Sequence, residues 1–191
     1  MLIAIDHGNE GIKTVNCEPF TSGLLESDMK PFGKDILLYR GKYYQLSSQR
    51  IPYRKDKTED DRFFILSLFA IAREIDASGT YRPGLIRLQL AVGLPPAYYG
   101  THYKSFSQYF MGRGTVNFTY QGKSYSIFID QVFCYPQSYA AALTMFQTLQ
   151  RTPKALVLDI GGMTADYLQI QYGQGDLSVC DSLENGVIRL Y

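Results

Sequence analysis

Asp6-His7-Gly8-Asn9-Glu10-Gly11-Ile12-Lys13 and Asp159-Ile160-Gly161-Gly162-Met163-Thr164-Ala165-Asp166 are two copies of one local design. Each follows a short apolar run, Leu2-Ile3-Ala4-Ile5 in the first case and Ala155-Leu156-Val157-Leu158 in the second, and each leads into a further run with strand character. The pattern predicts a strand, a glycine-bearing turn and a returning strand, twice. Such a turn can present backbone N–H groups to an anion, and glycine removes the side chain that would obstruct its approach. An Asp at the end of each leading strand is placed to face one shared cation, and Mg²⁺ favours a few carboxylates and waters combined with phosphate oxygens. Lys13 stands where it can neutralise phosphate charge, or be a solvated strand lysine. One copy alone also reads as ordinary turn chemistry, with the Asp capping its own turn. Two matching copies, far apart in one chain, carry the weight of the phosphate reading.

Outward from these turns the chain alternates strand and helix signals. Residues 36–39 and 43–46, joined at Arg40-Gly41-Lys42, predict a hairpin, as do 115–120 and 124–129 around Gln121-Gly122-Lys123. Thr58-Glu59-Asp60-Asp61 has the form of a capping box, and Phe64, Leu68, Ile71, Ala72 and Ile75 recur at helical spacing behind it. A helix over 58–77 is expected. Residues 85–92 predict a buried strand that ends at Gly93-Leu94-Pro95-Pro96, and 102–110 a shorter helix. Pro136 fits the first turn of a helix running to about residue 150, since no intrahelical donor is needed there. Residues 176–180 add a strand after the second turn, and 184–191 begin another helix. The alternation predicts an α/β protein.

Composition sets outer bounds. At 191 residues the chain suffices for one large domain, or one domain and part of a second, and 46% hydrophobic against 19% charged residues describes a globular chain. The balance of 19 Lys+Arg against 18 Asp+Glu supplies no overall field for nucleic acid or an anionic membrane. No apolar run approaches a spanning helix and the N-terminus has no signal-peptide form, so a cytoplasmic protein without membrane partners is expected. Cys17, Cys134 and Cys180 are odd in number and widely spaced, which predicts buried free thiols rather than a disulfide framework or a zinc site. His7 and His102 lack the spacing of metal ligands and read as structural or surface residues. Arg54, Lys55 and Lys57, beside Glu59, Asp60 and Asp61, form the densest basic patch and read as a solvated face or a filament contact.

On these residues the chain resembles the actin-like ATPases, and within them the ParM/StbA plasmid-segregation branch. The stretches 6–13 and 159–166 look like the family's two phosphate loops, and Tyr135-Pro136-Gln137-Ser138-Tyr139-Ala140-Ala141 resembles its connecting helix. Tyr53-Arg54-Lys55-Asp56-Lys57-Thr58 and Ala91-Val92-Gly93-Leu94-Pro95 are closer to the ParM-like branch than to actin, sugar kinases or heat-shock chaperones. The resemblance implies an α/β fold of the actin and hexokinase type, ribonuclease H-like, with a mixed sheet flanked by helices. It implies a first domain over 1–152 and the beginning of a second over 153–191. It also implies ATP and Mg²⁺ as cofactors, with Asp6, Gly8, Asn9, Lys13, Gly161, Gly162, Met163 and Thr164 around the phosphates, Asp6 and Asp159 toward the metal, and Gln137 orienting the attacking water.

His7 and Glu10 occupy positions where family members vary, and Met163 stands where Thr or Gly is more usual, although its backbone N–H serves a phosphate equally well. Family members continue beyond the second turn with a lid subdomain, an adenosine loop and a C-terminal helix that have no counterpart in these 191 residues. The stretch by itself is therefore expected to bind ATP weakly or not at all, to be inactive as an ATPase, and to expose apolar strand edges that favour self-association. The resemblance further implies filaments of the protein with itself, working on DNA through a DNA-bound adaptor protein and without direct sequence-specific DNA contact. A small-molecule kinase of the same superfamily and a filament or scaffold module without hydrolysis are the competing functions.

Overall fold

A computed structural model describes residues 1–184, 186 and 187. Of the helix expected over 184–191, residues 185 and 188–191 lie outside the described residues. Two compact units divide the chain, one of residues 1–92 with 105–133 and one of 93–104 with 134–191. In chain order the first half runs β1 (Leu2–His7), β2 (Gly11–Lys13), β3 (Phe20–Thr21), β4 (Leu24–Ser27), β5 (Ile36–Tyr39), β6 (Lys42–Leu46), α1 (Arg62–Ala77) and β7 (Leu85–Leu94). The rest runs α2 (Pro96–Met111), β8 (Thr115–Tyr120), β9 (Lys123–Pro136), α3 (Gln137–Ala142), α4 (Phe146–Leu149), β10 (Ala155–Ile160), β11 (Ala165–Gln171) and β12 (Gln174–Leu183), with a 3₁₀ turn at Leu143–Met145 between α3 and α4.

The first unit is built on a nine-stranded mixed sheet in the order β3-β2-β1-β7-β9-β8-β5-β6-β4. At its centre β1 and β7 run parallel, with Leu2 opposite Gln89 and Ile5 opposite Val92. Both strands alternate, burying Ile3, Ile5 and His7 on β1 and Ile86, Leu88, Leu90 and Val92 on β7. That alternation belongs to strands with one face on the core. The core helix is α1, whose residues from Phe63 to Ala72 are buried without interruption. A helix apolar on nearly every side has no solvent face to spare, and it packs on β1 and β2.

The two expected hairpins form, with Lys42 and Lys123 opening β6 and β9 rather than lying in the turns, and a third joins β11 to β12. Arg40 and Gly41, Gln121 and Gly122, and Tyr172 and Gly173 all have positive φ, and each pair is a two-residue loop between antiparallel strands. Positive φ at both loop residues is the type I′ geometry that matches strand twist.

Three helices differ from expectation. The start of α1 falls at Arg62 rather than Thr58, because Asp56 Oδ1 accepts the Thr58 amide at 2.8 Å and its hydroxyl at 2.6 Å, holding residues 56–58 in a turn. The first amides of the helix are met by Asp60, which accepts Arg62 N at 3.0 Å, and by the Tyr109 hydroxyl, which accepts Phe64 N at 2.8 Å. The second helix is longer than 102–110 and starts at Pro96, a residue suited to a first helical turn. The helix expected to run unbroken from Pro136 to about 150 is interrupted at Leu143–Met145. Pro136 itself stays extended at its N-cap, with φ −63° and ψ 127°.

The second unit carries a three-stranded antiparallel sheet, β10-β11-β12. One face packs against α3 through Ala142, Leu168 and Ile170, with Tyr139, Leu149, Ala155 and Val157 around them. On the other face Leu156, Leu158 and Ile160 are exposed. The three cysteines are free thiols, as expected, but half-buried rather than buried. No helix among the described residues is long and apolar enough to cross a membrane.

Candidate functional site

The first turn grows out of β1 and returns as β2, with Asp6 opposite Lys13 and His7 opposite Ile12. Strand alternation sends Asp6 and His7 to opposite faces. On the outer face Lys13 Nζ lies 3.7 Å from Asp6 Oδ2, an ion pair whose side chains are 63% and 41% exposed. On the inner face His7 enters the core, where its ring lies 5.3 Å from that of Phe110 and 5.7 Å from that of Phe106. Its Nε2 is 2.7 Å from Ser67 Oγ, and that hydroxyl donates to the Phe63 carbonyl at 2.7 Å. With the hydroxyl proton committed, the imidazole N–H is assigned to Nε2. Burial, reinforced by the nearby Lys57 charge, pushes the His7 pKa down to about 3, so the ring is neutral.

Gly8 is required sterically, because an added Cβ would lie 2.7 Å from the Gly11 carbonyl oxygen. The carbonyls of the turn are occupied from elsewhere in the unit. Ser22 Oγ donates to Gly8 O at 2.6 Å, Ser22 N donates to Glu10 O at 3.1 Å, and Lys57 Nζ donates to His7 O. Glu74 anchors the outgoing chain by accepting both the Asn16 amide and its side-chain Nδ2 at 2.8 Å. Burial disfavours the Glu74 charge most, but bonds from Thr14, Asn16 and Cys17 outweigh it and hold the carboxyl below its ordinary range.

The second turn has the same form with different partners. Asp159 stands opposite Asp166 and Ile160 opposite Ala165. Asp166 is 5% exposed, and Thr164 Oγ1 lies 3.5 Å from its Oδ2. Gly161 N donates to Thr164 O at 2.9 Å and closes the turn. The Gly161 and Met163 carbonyls accept from Val187 N and Gly186 N, each at 3.0 Å. Gly186 approaches so closely that an added Cβ would meet the Gly162 carbonyl at 2.4 Å.

Gln137 is the first residue of α3, which packs on β10 and β11. Its side chain occupies the space opened by Gly93 at the end of β7, where an added Cβ would stand 2.6 Å from Gln137 Cγ. The structure thus brings Asp6, Gly8, Asn9 and Lys13 together in one unit. Asp159, Gly161, Gly162, Met163, Thr164 and Gln137 belong to the other. No group of three or more His, Cys, Asp or Glu side chains placed to hold a metal occurs among the described residues. Each turn carries one carboxylate at the end of its leading strand, Asp6 in the first and Asp159 in the second.

Sequence reasoning missed three contributors. Lys57, read as part of a solvated or filament-contact patch, is only 4% exposed and points at the first turn. Ser22 is buried beside the same turn. Gly93 serves Gln137, for which its place in a Gly-Pro loop was a signal of tight approach but not of the partner.

The sequence pattern of the family described as "Actin like proteins N terminal domain" matches residues 4–139. None of the curated proteins matches the chain. Among solved structures it is similar to the apo psk41 ParM protein, with 15% identity and a TM-score of 0.75, over 98% of this chain and 67% of that one. An archaeal actin homologue in complex with ADP is 18% identical with a TM-score of 0.76, over 98% of this chain and 61% of that one. The AlfA filament bound to AMPPNP is 17% identical with a TM-score of 0.75, over 98% and 71%. The chain thus spans roughly two thirds of the length of these relatives. With most of its length matched by the family pattern and the actin-like fold present throughout, the chain belongs to the actin-like protein family.

Proposed function

We propose that this chain carries the phosphate-gripping part of an ATP-binding and ATP-hydrolysing actin-like filament protein that segregates plasmid or other DNA. The observation that carries this reading is the pair of glycine turns whose carbonyls are held by donors from behind, Lys57 and Ser22 at the first and the 186–187 amides at the second. A turn with its carbonyls engaged keeps its amides for an anion. The ADP-bound and AMPPNP-bound relatives favour a nucleotide as that anion, and the filament relatives favour self-assembly.

In this reading Gly8 and Asn9 on one side, and Gly162, Met163 and Thr164 on the other, meet the phosphates through backbone N–H groups, while Gly161 lines the same turn and closes it through its bond to Thr164 O. Asp6 and Asp159 hold Mg²⁺, and Lys13, exposed enough to leave Asp6, neutralises phosphate charge. Mg²⁺-ATP, when bound, supplies the electrophilic phosphorus. Gln137 cannot accept a proton as a strong base, so its amide positions water, which is what phosphoryl transfer chiefly demands. Hydrolysis then times disassembly of filaments that reach DNA through a DNA-bound adaptor, in the cytoplasm.

Assembly and turnover are proposed for the protein at the length its relatives have, and the test is made there. Light scattering and phosphate release are followed after ATP and Mg²⁺ are added. Both are expected to rise, and Gln137→Ala is expected to slow release about a hundredfold while leaving scattering intact. Scattering indifferent to nucleotide overturns the filament reading, and unchanged release overturns the role of Gln137.

A further inference from the structure

Lys57 is unusual on physical grounds alone. Lysine is almost never fully buried, yet this one is 4% exposed, with Nζ 5.4 Å from the centre of the Phe63 ring and donating to the carbonyl of His7. A neutral side chain of the same length would fill the same space without removing a charge from water, so the ammonium is explained by what it touches. It touches the last carbonyl before the first turn. The next carbonyl, that of Gly8, accepts from Ser22, which is fully buried.

A trans peptide unit is planar, and its C=O and N–H point in opposite directions. Fixing the His7 carbonyl toward Lys57 therefore aims the Gly8 N–H the other way. Fixing the Gly8 carbonyl toward Ser22 does the same for the Asn9 N–H. Glycine at position 8 would otherwise leave these two units the freest in the hairpin. We propose that Lys57 and Ser22 are positioning residues that set two successive peptide planes of the first turn, so that the Gly8 and Asn9 amides are pre-aimed at a phosphate. This deepens the phosphate reading given above and rests on it. The ammonium also places a positive charge behind the turn where solvent screens it little. In the second turn backbone donors at 186 and 187 hold the carbonyls of Met163 and Gly161, whereas side chains hold those of His7 and Gly8 in the first.

The test is NMR titration of the ¹⁵N-labelled protein, at the length its relatives have, with inorganic pyrophosphate and Mg²⁺, following the amides of Gly8, Asn9, Gly161 and Gly162. In the unsubstituted chain all four are expected to shift. Lys57→Met, which keeps the apolar stem, is expected to weaken the response of Gly8 and Asn9 about tenfold while Gly161 and Gly162 respond as before. Ser22→Ala should weaken the same pair about threefold, and Ser22→Thr should restore it. If Lys57→Met leaves Gly8 and Asn9 responding as in the unsubstituted chain, or weakens both turns alike, the positioning role is overturned and the phosphate reading stands. If neither turn of the unsubstituted chain responds, the phosphate reading falls, and this proposal with it.

Discussion

The two hairpins share a backbone design and differ in charge. In the first, Asp6 faces Lys13 across the strand pair, and the unlike charges lie 3.7 Å apart on an exposed face. In the second, Asp159 faces Asp166 at the equivalent place, on the side where α3 covers the sheet. Opposite charges across a strand pair help modestly, and like charges directly opposed hinder. The first hairpin thus pairs unlike charges across its strands, whereas the second sets two carboxylates opposite one another. Similar turns thus differ in charge: one sets a carboxylate against a lysine, the other a carboxylate against a carboxylate.

The likeness is broken most severely through glycine. Gly8→Ala and Gly186→Ala each force a Cβ into backbone atoms, at 2.7 Å from Gly11 O and 2.4 Å from Gly162 O. Overpacking of this kind costs about 1–3 kcal/mol, and both variants should show it as a lower urea midpoint. If either melts like the parent chain, the claim that both turns exclude a side chain fails.

A medium effect should distinguish the units by pH. His7 has its folded pKa depressed to about 3 from 6.5, so its contribution to stability is fully present above 6.5 and is lost as pH falls toward 3. The slope approaches about 1.4 kcal/mol per pH unit within that window. Denaturation of the first unit followed between pH 7 and 5 should show the loss, and His7→Gln should flatten it. A parent and variant with parallel profiles would place the titration elsewhere.

The smallest effect sharpens the charge contrast directly. Asp6→Asn should lower stability by about 0.5 kcal/mol or less, because its pair with Lys13 is exposed. Asp159→Asn should instead raise the stability of the nucleotide-free chain by about 0.2–1 kcal/mol, since it removes one of two opposed carboxylates. The sign of the difference is the test, read from paired urea titrations without Mg²⁺. The same sign for both substitutions would remove the contrast.

Much of this was legible in the residues, for identifiable reasons. Arg40-Gly41 and Gln121-Gly122 declared two hairpin turns, because positive φ at consecutive positions is rare without glycine, and Tyr172-Gly173 closes a third in the structure. The paired Asp-x-Gly runs were recognisable because their spacing is local. The start of α1 was not legible: Thr58 and Asp61 match a capping box, but the acceptors that decide the cap come from Asp60 and from Tyr109 on a distant helix. Lys57 was misjudged for the same reason. Its neighbours in sequence are charged, and only the packed chain reveals that it turns inward to the His7 carbonyl. Which carboxylate faces which was partly readable, because hairpin register follows once the turn length is known.

By itself, then, the sequence determined the class of fold, the hairpins, the two glycine turns and membership of the actin-like family, all of which depend on short-range pattern and turn stereochemistry. Only the tertiary structure decided what lies behind those turns: Ser22 and Lys57 at one, the 186–187 amides at the other, and Gln137 seated in the space left by Gly93. The physical reason is distance along the chain. Hydrogen bonds and close contacts between remote residues follow from packing, and no local period encodes them.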